Sequence, residues 1–173
     1  MWAIVSPQWR PSVRQLCQAP YYNHPRGCPN FGKRNTCPPH CPFWSEIFHL
    51  GAPAYAIWNV FNLAEHIKKM RQKHPLWSDR QLSCCLYWQP KARKRLKIEI
   101  AKFKKIHPRY TVVAVPEAMG INVTATMGKI GINLQWPPVD TVYQIALASL
   151  TWEQELEQKE GGKIENGHNS SLV

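Results

Sequence analysis

CQAPYYNHPRGCPNFGKRNTCPPHCPFW, residues 17–44, is the stretch on which the reading of this chain turns. Four cysteines, Cys17, Cys28, Cys37 and Cys41, lie in it among prolines, glycines and asparagines. Turn residues at this density provide no apolar periodicity behind which a thiol could hide as a small hydrophobe. Such a loop needs a cross-link to become ordered, and thiolate ligation of a metal supplies folding free energy on the order of 10 kcal/mol. Residues 17–41 therefore read as a metal or iron–sulfur site. Disulfides and unligated, redox-active thiols are the competing explanations.

The compartment bears on that choice. The chain has 173 residues, the size of one ordinary domain and long enough to bury a core without staples. Its opening, MWAIVSPQWRPSVRQ, places arginines after a short apolar stretch, which is not the order of a secretory signal. No run approaches the roughly 18 apolar residues of a membrane span. The expectation is a cytoplasmic protein with no membrane partner, in a reducing environment where clustered cysteines are more often ligands than bridges.

The spacing, C-x10-C-x8-C-x3-C, lacks the C-x2-C knuckles with which zinc ribbons aim two thiolates at one ion. Pro38 and Pro39 are expected to hold the chain between Cys37 and Cys41 extended. Iron–sulfur clusters tolerate irregular spacing, because a cubane several ångströms across is approached from different sides. A [4Fe–4S] cluster is favoured, with zinc as the alternative. Cys84 and Cys85 lie far along the chain. Their plain reading is that one packs in the core; the sharper reading makes Cys85 an alternative fourth ligand or a redox partner. His24 and His40 could replace a thiolate, although a histidine among prolines in a basic loop is usually solvated.

The remainder alternates strands and helices. WAIVSP and AYAIWNVF (54–61) read as strands. NLAEHIKKMRQKHP reads as a helix capped by Asn62, with Glu65 three residues on. Ser78 and Gln81 form a capping box for a helix running through CCLYW. Pro90 suits the first turn of the next, in which Ala92, Leu96, Ile100 and Phe103 share one stripe. TVVAV (111–115) reads as a buried central strand, Asn122 as the start of a helix through Val123, Thr126 and Met127, and VYQIALASL (142–150) as a last strand or a helix. The fold class expected is α/β, a single domain with a mostly parallel sheet. Its domain is 1–151, with the Cys-rich loop at 17–44, followed by a disordered acidic tail at 152–173, in which Trp152 and Leu156 are the exceptions that could dock as a short helical turn at the domain edge.

Charge follows the same boundary. Residues 1–150 carry 20 basic and 6 acidic side chains, and the remainder 2 and 5, which leaves a strongly basic domain attracted to polyanions. Lys91, Arg93, Lys94 and Arg95 open a run of eight basic residues over 91–105. These four are the candidate nucleic-acid contacts, set against the plainer reading of a solvated helix face. Tryptophans and tyrosines beside them could stack on bases.

Two segments carry a resemblance. Cys17, Gly27-Cys28-Pro29-Asn30-Phe31-Gly32-Lys33 and Cys37-Pro38-Pro39 with Pro42 form the first; PEAMGINV at 116–123 forms the second. Together they resemble a bacterial and archaeal family catalogued as predicted metal-binding proteins, with a Cys...GCPNYGK...CPP loop. The resemblance implies a metal site on which Cys17, Cys28 and Cys37 carry over best, while Cys41 and Cys85 compete for fourth place. It implies no established reaction. Redox or sulfur-transfer chemistry would suit a cluster with one open iron, with a nucleotide, a nucleic acid or a redox partner protein as partner. The alternative is a zinc-stabilised basic domain that binds RNA or DNA without catalysis.

Overall fold

AYAIWNVFN is apolar with hardly a break, and it becomes a strand because both of its faces are covered. The computed structural model describes residues 1–20 and 24–157. Its elements run β1 (Trp2–Val5), a 3-10 helix (Pro11–Cys17), α1 (Trp44–Ile47), β2 (Ala54–Asn62), α2 (Leu63–Lys73), α3 (Asp79–Leu82), α4 (Cys85–Ile106), β3 (Thr111–Val113), a second 3-10 helix (Pro116–Met119), α5 (Val123–Gly128) and β4 (Thr141–Ser149).

The four strands form one sheet in the order β1-β2-β4-β3. Successive side chains on a strand point to opposite faces, and here the two sets meet different partners. Ile57 with Ala146 and Ala148, and Phe61 with Val142, pack against Leu96, Phe103, Trp88 and Ala92 of α4. Ala54, Ala56 and Leu147 pack against Trp44, Phe48, Met119, Ile121, Val123 and Met127 on the other face. The protein thus has three layers: α4, the sheet, and a layer built from α1, Pro116–Met119 and α5.

The sheet is antiparallel throughout, which corrects the parallel expectation. Apolar runs separated by helices signal a sheet covered on both faces, and they do not fix strand direction. β2 and β3, joined through α2–α4, do run the same way. β4 slots between them, antiparallel to each, with its register on β2 running from Tyr55↔Ala148 to Asn62↔Thr141. This is a split βαβ unit. The same insertion puts β3 on the edge: TVVAV is not a buried centre but a three-residue, half-buried strand.

Helix starts follow the local chemistry. The Asn62 side chain accepts the Glu65 N–H at 2.8 Å, and Ser78 and Gln81 form the expected box. The second helix, however, ends at Leu82, and α4 begins at Cys85 with Pro90 inside it. A proline there removes one helical hydrogen bond. Trp88 anchors the turn before Pro90: its indole stacks on Phe61 at 5.4 Å and donates to the Ser83 carbonyl at 3.1 Å.

The first residues of the expected tail belong to the packed structure. Residues 152–157 form a helical turn. The Thr151 N–H donates to Gln154 Oε1 at 2.9 Å and Thr151 Oγ1 accepts the Gln154 N–H at 3.3 Å. The Trp152 ring lies 3.8 Å from His49, and Arg109 donates to the Gln154 carbonyl at 2.9 Å and pairs with Glu157. The rest of the expected tail, from 158 on, lies outside the described residues. A chain ending at Thr151 should melt roughly 5 °C or more below one ending at Glu157, since each 1 kcal/mol moves the midpoint by about 2–4 °C in a domain of this size. Equal midpoints by circular dichroism would show that these contacts contribute nothing.

Candidate metal centre

The loop from Cys17 to Phe43 has little core of its own. Among its described residues only Gly27, Pro38 and Cys41 are buried, so backbone hydrogen bonds and turns must hold it. Cys17 closes the first 3-10 helix, and its carbonyl accepts the Cys28 N–H at 2.7 Å. Gly27 makes that approach possible. With φ at 77° and no side chain, it lets residues 27–28 press on the 17–18 backbone. A Cβ at Gly27 would lie 2.8 Å from the Cys17 oxygen and 2.9 Å from the Gln18 carbonyl.

The second half of the loop is a turn. The peptide between Pro38 and Pro39 is cis, and the Cys41 N–H donates to the Cys37 carbonyl at 3.1 Å. The expected extended path between these cysteines is therefore not the one adopted. That hydrogen bond closes the four-residue step and brings Cys37 and Cys41 together. Two links tie this turn to the rest of the loop: the Gly32 N–H donates to the Pro38 carbonyl at 2.8 Å, and the His40 ring meets the Gly32 carbonyl at 3.2 Å. Arg14 completes the clamp from the 3-10 helix. Its guanidinium donates to the carbonyls of Pro39 (3.2 Å) and Cys41 (2.9 Å) and sits 4.0 Å from the centre of the Phe43 ring.

The loop is seated on the Pro116–Met119 turn, the second of the two segments that carry the resemblance. The Cys41 Sγ–H donates to the Ala118 carbonyl at 3.0 Å, the Arg10 N–H to the Gly120 carbonyl at 2.7 Å, and the Asn122 N–H to the Gln8 carbonyl at 2.8 Å. The loop and the segment before it, 77 to 114 positions away in the chain, thus meet the 116–122 segment at one place.

The thiols feel one another. The Cys17 pKa is raised, first by desolvation and then by the neighbouring Cys28, Cys37, Cys41 and Glu117. Cys41 is raised by its burial, against the opposing pull of the Arg14 cation. Glu117 was not singled out by the sequence reading, although it stands in the PEAMG segment. Surrounding protein raises its pKa by desolvation. The residue still keeps an exposed side, and water reaching that side tempers the rise.

Four loop cysteines are therefore brought into one neighbourhood, and the other candidates are elsewhere. Cys85, the first residue of α4, packs at the margin of the Phe61, Leu63, Trp88, Ala92 and Val142 cluster, while the loop rests on the opposite layer. His40 is exposed and engaged with the loop backbone, and His24 is half-buried. Lys91, Arg93, Lys94 and Arg95 are all exposed on α4. Among the described residues no group of three or more His, Cys, Asp or Glu side chains, as it stands, could hold a metal ion. None of the six cysteines is in a disulfide. No helix among the described residues is long and apolar enough to cross a membrane.

Comparison of the chain with family models, with curated proteins and with solved structures finds no match in any of the three. The chemistry of the centre is then a matter for its own residues, and Gly27 is the one on which the loop geometry turns most sharply. Gly27→Ala should destabilise the protein by at least about 2 kcal/mol, because a left-handed backbone with a Cβ costs roughly 1–2 kcal/mol before any displacement of the 17–18 backbone. Gly32→Ala, also at positive φ (68°) but with open space around it, should cost only the backbone term. Urea unfolding of the two variants checks this; equal destabilisation would mean that the close approach at Cys17 is unimportant.

Proposed function

We propose that this is a metal-binding protein that carries a [4Fe–4S] cluster on Cys17, Cys28, Cys37 and Cys41. The observation that carries the reading is that backbone hydrogen bonds pair Cys17 with Cys28 and Cys37 with Cys41, and that Cys17 feels the charge of the other three, in a segment with almost no buried core. A loop of this length loses roughly 1–2 kcal/mol of backbone entropy for each ordered residue. Turn hydrogen bonds return about 1 kcal/mol each. Ligation is the kind of interaction large enough to close that gap.

The thiols are near enough to influence one another yet do not converge as a site for a single ion. Irregularly spaced ligands suit a body several ångströms across better than a lone zinc ion. The similarity of the two segments to the predicted metal-binding family points the same way. Cysteines bind a metal as thiolates, so entry of the metal would release protons to the solvent. Held by all four thiolates, the cluster would supply electron transfer. This chain's residues would hold and shield it: Arg14 fixes the Cys37–Cys41 turn, and Glu117 places a carboxyl group beside Cys17.

Protein purified without oxygen should be brown and contain iron together with acid-labile sulfide. Alanine at Cys17, Cys28, Cys37 or Cys41 should each remove most of the colour. Cys85→Ala should leave it unchanged, because Cys85 lies with the α4 cluster. A colourless wild-type protein holding zinc would contradict the proposal, and so would loss of colour in Cys85→Ala alone.

A further inference from the structure

Away from the cysteine loop, the approach to α4 carries three aromatic rings in a row, with Trp77 between His74 and Tyr87. His74 stacks on Trp77 with centroids 4.0 Å apart and planes at 10°, and Trp77 meets Tyr87 at 4.9 Å. Such rings usually earn their place in a core. Here Tyr87 is 51% exposed, and Leu76 and Leu86 beside the rings are 98% and 77% exposed. The group is a surface feature with free aromatic area.

Tyr87 begins a stripe along the helix. At 3.6 residues per turn, positions four, seven, eleven and eighteen residues beyond it return to nearly the same side. They are Lys91, Lys94, Ile98 and Lys105, all exposed. The residues that face the sheet, Ala92, Leu96 and Phe103, lie on the opposite side. The stripe therefore points away from the body of the protein. It leads from aromatic rings to a line of lysines on a domain whose charge is strongly positive.

We infer that this face binds single-stranded nucleic acid, with a base stacked on Tyr87 at the ring group and the backbone phosphates running along Lys91, Lys94 and Lys105. Single-strand binding surfaces combine these two elements: aromatic faces that accept any base, and a cationic track that follows the backbone. A flexible strand can place a base on the ring and its phosphates on the helix at once. A duplex keeps its bases stacked on each other and has none to offer. The inference does not depend on what the cysteine loop ligates, because the two regions lie on opposite sides of the sheet.

The test uses the full chain as purified, metal included, and fluorescence anisotropy of a labelled uridine-rich strand of about ten nucleotides, within the usual site size of such surfaces. Binding should weaken roughly 20-fold between about 50 and 200 mM salt if three phosphates are neutralised. Tyr87→Ala should weaken it about 5-fold or more, while Tyr87→Phe, which keeps the ring, should bind as the parent does. Changing Lys91, Lys94 and Lys105 together to glutamate should abolish binding at the lower salt, whereas Lys129→Glu, beyond α5, should have no effect. Circular dichroism of each variant should match the parent. The inference is overturned by absence of binding at low salt, by unchanged affinity in a folded Tyr87→Ala variant, or by a duplex of equal length binding as tightly as the single strand.

Discussion

The seat of the cysteine loop on the Pro116–Met119 turn is the contact on which the rest of one layer depends. Backbone groups of Gln8 and Arg10 bond to Asn122 and Gly120 on either side of Ile121, and the Cys41 thiol bonds to the Ala118 carbonyl. Ile121, Met119 and Val123 are held by this seam and fill the core under Ala54, Ala56 and Leu147. Trp44 and Phe48 enter the same cluster directly after the last loop cysteine. The loop cannot shift without disturbing them. The loop enters that seam through the Cys41 thiol, whose bond to the Ala118 carbonyl would be exchanged for a bond to the metal in the proposed cluster.

The opposite layer has a different logic. α4 buries Trp88, Ala92, Leu96 and Phe103 against the sheet and turns its lysines and arginines to solvent. Its C-terminus is closed by Lys104, which donates to the carbonyls of Pro108 and Tyr110 at 2.9 Å and 2.8 Å. A cation at that end also complements the helix dipole. The sheet thus separates a thiol-rich face, built from turns, and a basic face, built from one long helix.

Local signals in the sequence were the ones that could be read. The Asn62 cap, the Ser78–Gln81 box, the start of α5 at Asn122 and the α4 stripe depend on residues three or four apart, and the structure has each of them. Strand direction and the edge position of β3 depend on where β4 inserts, a choice made by packing across the sheet that no window of the chain contains. The turn between Cys37 and Cys41 escaped for a similar reason, since Arg14 and the Gly32–Pro38 bond that brace it come from elsewhere in the loop. In the candidate centre, the grouping of Cys17, Cys28, Cys37 and Cys41 along the chain was legible, and in the structure Cys17 feels the charge of the other three. The nearness of Glu117 was not legible, because it follows from folding residue 117 onto a loop that ends at residue 44. Its only trace was the company PEAMG kept with the loop in the resemblance.

X-ray absorption on the anaerobically purified chain tests the central claim most directly, because it reports both the element and its neighbours. The account predicts an iron edge, a shell of sulfur and a second shell of iron from within the cluster. A zinc edge with a single sulfur shell near 2.3 Å, the distance of zinc–thiolate bonds, and no metal–metal scattering would contradict it.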